Sequence, residues 1–406
     1  MNPPNTAATA VAERRIVVCV GCGGVGKTTI AAALGLEAAR AGRRALVLTI
    51  DPARRLADAL GVEALGNRPQ NLPREALAAL GVPAEGELSA LMLDMKLTFD
   101  DLVNRFAESE ELRNRIFDNP IYQHASQALA GSVEYSAMEK VFELDQSGAF
   151  DLILVDTPPA QHALDFLEAP QRLLEFLDSK LVQMLIHPAF SAGRFGFRLF
   201  HRSTRRVLQL LERVSGLGFL EDVSEFLLAF EGMSDGFRER AHQVRALLLG
   251  STSGFLLVTA PGRESMRQTT QFLDRLDGYG VPLIGVLVNR MRLWPEGDLP
   301  PEGAAPSEAD LAKLAGALGA SEGPAYPAHD AAQAAVGTAT RYAALVRRDA
   351  DSTGRLRERI EGRGGFWGCI PEFDQDVHDL ASLGRVADRI AGRDQRGVSI
   401  AEERPA

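Results

Sequence analysis

Apolar residues are distributed along the chain in two ways, as short unbroken runs rich in β-branched side chains and as longer stretches with helical spacing. The runs at 16–20, 44–51, 150–156, 254–259 and 283–289 predict strands, that at 16–20 a buried one and that at 150–156 nearly continuously apolar. The alanine- and leucine-rich stretch 29–40, closed by Gly42, predicts a helix with a glycine stop. Helical spacing also marks 97–103, 110–116 and 131–144, whereas 66–90, rich in Pro, Gly and Asn, reads as a connection and 294–307 as a solvated loop. The strand, helix and strand of 16–51 have the length of a right-handed βαβ unit. The expected fold class is therefore α/β, a mostly parallel doubly wound sheet.

Between 171 and 250 this rhythm stops. Four helical patterns (172–186, 205–214, 220–230 and 237–249) follow one another without a strand run, which predicts an inserted helical subdomain. The expected organisation is a disordered lead at 1–14, a core from 15–170 and 251–400, and the insertion at 171–250.

Composition narrows the setting. With 406 residues, 46% of them apolar, the chain can bury a large core. No apolar run reaches the length of a bilayer span, and the lead lacks the apolar stretch of a secretion signal. Three cysteines, which do not make the pattern of a disulfide scaffold, suit a reducing compartment, so a cytoplasmic protein, at most peripheral at the inner membrane face, is expected. A net charge of −10 argues against general nucleic-acid binding. Against that background, 180–213 holds seven basic residues and one acid, interleaved with Phe190, Phe195, Phe197 and Phe200. Such a segment suits a hydrophobic client or an anionic membrane surface; equally, the aromatics can fill a core beneath a solvated basic face.

Residues 21–29 carry the candidate chemistry. Gly21, Cys22, Gly23, Gly24, Val25, Gly26, Lys27, Thr28 and Thr29 contain G-x-x-x-x-G-K-[ST], the loop that cradles nucleoside triphosphates. Its glycines let backbone N–H groups curve around phosphates, Lys27 supplies a positive charge, and the Thr28 hydroxyl can ligate Mg²⁺. A strand before and a helix after place the phosphates on a helix N-terminus, where unpaired N–H groups favour anions. Cys19 and Cys22 have C-x-x-C spacing, but one belongs to the strand and the other to the loop, and Cys369 alone adds too few thiols for zinc.

Four blocks together resemble the ATPases of the arsenite-pump and tail-anchored-protein-targeting family, within the dimerising P-loop ATPases with a deviant Walker A. They are 21–29; Thr-Ile-Asp-Pro-Ala-Arg-Arg-Leu-Ala-Asp at 49–58; Asp-Thr-Pro-Pro-Ala-Gln-His-Ala-Leu at 156–164, continuing to Pro170; and Val-Asn-Arg at 288–290. The segment 131–140 is similar to the bacterial arsenite-ATPase-like branch. The resemblance implies Mg²⁺-dependent ATP hydrolysis, with Lys27 on the phosphates, Thr28 on Mg²⁺ and Asp156 beside the ion directly or through water. It makes Asp51 the switch I aspartate that orients or deprotonates the attacking water; from the residues alone, Asp51 also reads as a helix N-cap ahead of Pro52. His162 falls in switch II, as a coupling or a structural histidine. Asn289 is implied to recognise adenine, and Pro371, in a segment 370–374 resembling a loop over the base, to cover it.

A single phosphate loop implies a homodimer or a heterodimer with a paralogue, coupling nucleotide state to client or membrane-protein handling. The chain departs from the family at Cys22, where a lysine normally reaches across the dimer. Arg54, Arg55 or Arg290 replaces that charge, or turnover is negligible and the protein acts as a nucleotide-dependent scaffold or adaptor. The soft-metal cysteine cluster of arsenite binding is missing, so arsenite extrusion is not expected. A partition or division-site ATPase shares the loop, but the helical insertion speaks against it.

Overall fold

The structure is a computed structural model describing residues 6–51, 55–120, 122–123, 132–158, 234–295, 298–303, 306–319 and 327–393, with scattered positions between 168 and 228. Its strands are β1 (Ile16–Gly21), β2 (Arg44–Thr49), β3 (Gln70–Asn71), β4 (Glu87–Met92), β5 (Leu152–Asp156), β6 (Ser253–Thr259), β7 (Leu283–Met291) and β8 (Phe366–Pro371). The first helices are α1 (Ala7–Val11), α2 (Lys27–Arg40), α3 (Arg55–Leu60), α4 (Arg74–Ala79), α5 (Met95–Phe106) and α6 (Glu110–Asp118). They are followed by α7 (Ser132–Gln146), α8 (Ser234–Leu249), α9 (Arg263–Asp277), α10 (Glu308–Gly319), α11 (Ala328–Glu361) and α12 (Leu380–Ile390).

The strands form one sheet in the order β3-β4-β2-β5-β1-β6-β7-β8, parallel except for the short β3 at the edge. β1 lies at its centre because Ile16–Val20 are at most 1% exposed and apolar on both faces. Val17 and Cys19 pack into the cluster that includes α2 and α12, while Ile16, Val18 and Val20 pack on the opposite face against α7, α8 and α9. This is the two-residue alternation of a strand between two helical layers. All five predicted strands are present. α2 ends as its sequence predicts: Gly42, at φ 80°, closes a Schellman turn in which Arg43 N–H donates to Ala38 (3.0 Å) and Gly42 N–H to Ala39 (2.9 Å).

Several expectations are corrected. The lead is helical over Ala7–Val11, with a Thr6 and Thr9 capping box, and Ala7 and Val11 are buried against the core. β4 begins inside the stretch 66–90 read as a connection and runs two residues past it. β8 takes up Ile370 and Pro371, read as part of a loop. α8, assigned to the insertion, places Val244 and Leu248 in the same buried cluster as Phe255 of β6. Conversely, α5, α6 and α7 contribute Leu102, Val103, Ile116 and Tyr135 to a separate helical cluster with Ala241 of α8, so helical material outside the sheet starts well before 171. Most of 171–233, including the basic aromatic segment, lies outside the described residues.

A buried carboxylate links the helical cluster. Glu139 of α7 is 2% exposed and is gripped by Arg240 of α8 at 2.6 Å and Arg105 of α5 at 3.4 Å. Burial pushes the Glu139 pKa up while the Arg240 hydrogen bonds oppose it.

Candidate functional site

Three strand ends meet at one carboxylate. Parallel pairing sets Cys19 of β1 and Thr49 of β2 in register with Asp156, the last residue of β5. The following Thr157 donates its hydroxyl to the Cys19 carbonyl at 2.8 Å, tying the end of β5 to β1. Asp156 is 1% exposed. Its Oδ2 accepts from the Thr28 hydroxyl (2.7 Å) and the Thr49 hydroxyl (3.0 Å). Its Oδ1, equally buried, has no hydrogen-bond partner among the described residues. Burial pushes the Asp156 pKa up to about 6 against the pull of the two hydroxyls and Lys27.

β1 turns directly into the loop. Lys27, only 7% exposed, donates to the carbonyls of Gly21 (3.0 Å) and Cys22 (2.9 Å), so its ammonium lies against the loop backbone. Burial lowers its pKa, with the charge of Asp156 opposing. A loop this tight needs Gly26: it sits at φ 92°, and a Cβ there would lie 2.3 Å from Asn289 Nδ2.

Asn289, near the end of β7, reaches into the loop. Its Nδ2 donates to the Val25 carbonyl (2.9 Å), and its Oδ1 accepts from Arg290 N–H (3.0 Å), across a backbone at φ 59°. Both ends of the amide are thus used within the protein. Pro371, at the end of β8, pairs in register with Met291, so the two residues implied at adenine share one sheet edge.

Asp51 follows β2 by two residues. Its N–H donates to Thr49 Oγ1 at 3.2 Å, and its carboxylate lies 3.7 Å from Arg55 Nη1. Thr49, a hydroxyl at the end of an apolar strand, was absent from the candidate residues; its position two residues before Asp51 was the available signal. Pro52–Arg54 and His162 lie outside the described residues.

Cys22 has its side chain turned inward, 5% exposed, with Sγ 3.9 Å from the Ser265 carbonyl in the first turn of α9. Burial raises its pKa. Of the arginines considered in place of a lysine there, Arg55 pairs loosely with Asp51 and Arg290 is exposed at the end of β7.

The site therefore combines a basic phosphate loop, two hydroxyls on a buried acid and a second acid at the neighbouring strand end. These groups suit a nucleoside triphosphate with a hard cation. Residues 14–299 match the ArsA_ATPase family model, described as anion-transporting ATPase. The chain is similar to ATPase GET3 of Malassezia globosa, 25% identical over 282 residues, 69% of this chain and 74% of that protein. It is also similar to ATPase get3 of Schizosaccharomyces japonicus, 26% identical over 284 residues, covering 69% and 75% respectively. With ATPase ARSA1 of Chlamydomonas reinhardtii it shares 24% identity over 307 residues, 70% of this chain and 36% of that protein. The match of the family model across most of the chain, on a sheet that brings the phosphate loop and Asp156 together, makes this protein a member of the ArsA-type anion-transporting ATPase family and an ATP hydrolase.

Proposed function

We propose that the protein is a Mg²⁺-dependent ATPase whose nucleotide state drives dimer closure and the handling of a hydrophobic client or membrane protein. The observation carrying the metal assignment is Asp156 Oδ1, a buried carboxylate oxygen without a partner among the described residues, beside a threonine hydroxyl. Hard oxygen donors of this kind suit Mg²⁺. Thr28 and Asp156 would hold the ion, directly or through water, and the bound ion would neutralise charge on the phosphates. Lys27 would leave the Gly21 and Cys22 carbonyls for phosphate oxygens, and the N–H groups of 21–29 would surround them. Asp51, at the strand end beside Asp156, would hold the attacking water and accept its proton. Asn289 would meet adenine only by giving up Val25, with Pro371 beside it. A homodimer, or a heterodimer with a paralogue, follows from the family resemblance, as does a cytoplasmic setting; GET3 and ARSA1 are ATPases by name.

The inward side chain of Cys22 favours a second reading, in which turnover is slow and nucleotide state itself is the output, as in a scaffold or adaptor. Steady-state ATPase assays, ATP binding and light scattering on wild type, Lys27→Ala and Asp51→Asn separate the readings. We expect Lys27→Ala to lose ATP binding, and Asp51→Asn to bind ATP, remain dimeric and lose about 10²- to 10⁴-fold in kcat. Wild-type turnover no faster than that of Asp51→Asn would leave the scaffold reading. Full activity of Asp51→Asn would remove Asp51 from the chemistry.

A further inference from the structure

We propose that Thr49 is a positioning residue that couples the water-handling aspartate to the metal-side aspartate, so that both acids are set by one hydroxyl. The inference rests on the roles given above to Asp51 and Asp156. Thr49 is 1% exposed, at the last position of β2, in register with Asp156. Its Oγ1 takes part in two hydrogen bonds at once, donating its proton to Asp156 Oδ2 (3.0 Å) and accepting from Asp51 N–H (3.2 Å). A hydroxyl has one proton to give and lone pairs to receive, so both bonds can be made together without conflict.

Two features make this more than strand packing. First, Thr28 and Thr49 both donate to the same oxygen of Asp156, which fixes the carboxylate's rotation and leaves Oδ1, unpartnered among the described residues, as the atom for ligation. If the Thr28 hydroxyl turns to the metal, Thr49 is the hydroxyl that still holds the carboxylate in that orientation. Second, the bond from Asp51 N–H reaches the backbone of a residue outside the regular strand, so a displacement of Asp51 is felt at the Asp156 carboxylate through a single intervening atom. The Thr49 carbonyl in turn accepts from Leu93 N–H at 2.9 Å, just past the end of β4, which holds the end of β2 in place against that strand.

The test is a pair of substitutions in the full chain. Thr49→Val keeps the shape and loses both hydrogen bonds; Thr49→Ser keeps the hydroxyl. Hydrogen exchange of the peptide spanning Asp51, in protein free of metal and nucleotide, reads the Asp51 arm. Mn²⁺ affinity in the presence of a non-hydrolysable ATP analogue, followed by electron paramagnetic resonance, reads the Asp156 arm. For Thr49→Val we expect faster exchange at Asp51, Mn²⁺ affinity and kcat each reduced about 10- to 100-fold, and analogue affinity without metal within about threefold of wild type. Thr49→Ser should restore all of these to within about threefold. Wild-type exchange and Mn²⁺ affinity in a folded Thr49→Val protein would overturn the proposal. So would a Thr49→Ser protein as impaired as Thr49→Val, which would assign the residue to packing. Asp51→Asn assayed alongside separates this outcome from failure of the Asp51 role: if it keeps full activity that role fails, while the exchange and Mn²⁺ readouts still decide on Thr49.

Discussion

Gly26 faces Asn289 at the end of β7, and it is constrained twice. Its positive φ disfavours a side chain by about 1–2 kcal/mol, and an added methyl would meet Asn289 Nδ2 at 2.3 Å. Gly26→Ala should therefore destabilise the protein and weaken ATP binding, and part of the loss should disappear in an Asn289→Ala background. A double-mutant cycle from urea denaturation checks this, with a non-additive term expected for residues in contact. Asp156 carries a different signature. Its pKa stands at about 6 in the folded protein against an ordinary 3.8, with Lys27 and Asp51 as the charged neighbours. A raised carboxyl pKa stabilises the fold at low pH, and that contribution is lost as pH rises through the folded value. In metal-free protein, stability relative to Asp156→Asn should fall by about 1 kcal/mol from pH 5 to pH 7, measured by denaturant titration. The loop residues and Asp156 were legible in the sequence because their chemistry needs particular residue types at particular places. Thr49 was not, because a threonine in a β-branched run is an ordinary strand former until the register sets it beside a carboxylate.

At the scale of elements, the strands that reveal themselves are those written as nearly unbroken apolar runs; β4 is buried on both faces too, yet its sequence does not show it. β1, β2, β5, β6 and β7 are dominated by apolar, often β-branched residues, whereas Glu-Leu-Ser-Ala-Leu-Met of β4, of similar length, mixes in polar residues and Phe-Trp-Gly-Cys-Ile-Pro of β8 is interrupted by glycine and ends in proline. Strand order was not legible either, since it depends on which faces fit rather than on any one run. The C-terminal part of the chain, beyond the family match that ends at 299, proves to complete the core. β8 extends the sheet, and α12 covers α2 with buried Leu383, Val386, Ala387 and Ile390. Arg40 of α2 reaches Asp388 at 2.9 Å, so the helix that begins at Lys27 is held along its outer side. Leu383→Ala should cost about 2–5 kcal/mol. Asp379→Ala, which removes the α12 capping box, should cost about 1 kcal/mol. Thermal melts of the two variants test whether α12 unfolds together with the sheet: a shared single transition is expected, and an early separate one would show that it docks independently.

For the whole molecule, the sheet supplies a fixed frame and the helical cluster of α5 to α8 an attached layer. The two share short connections. Leu93 N–H bonds the Thr49 carbonyl at 2.9 Å, two residues before α5 begins, and α8 packs on the sheet with one part and on the helical cluster with another. The Glu139 ion pairs join α5, α7 and α8 within that layer, and leaving the half-buried Arg240 without its carboxylate would be costly. Glu139→Ala is accordingly expected to destabilise the protein by about 3–5 kcal/mol, read from the denaturation midpoint, without altering the affinity of the phosphate loop for ATP. Cys22, finally, gives the molecule a clock. Its thiol is sealed between the loop and the Ser265 carbonyl, so a thiol-specific dye reaches it only when the loop lifts away from α9. The rate at which that sulfur is labelled counts loop openings, and saturating ATP should slow the count.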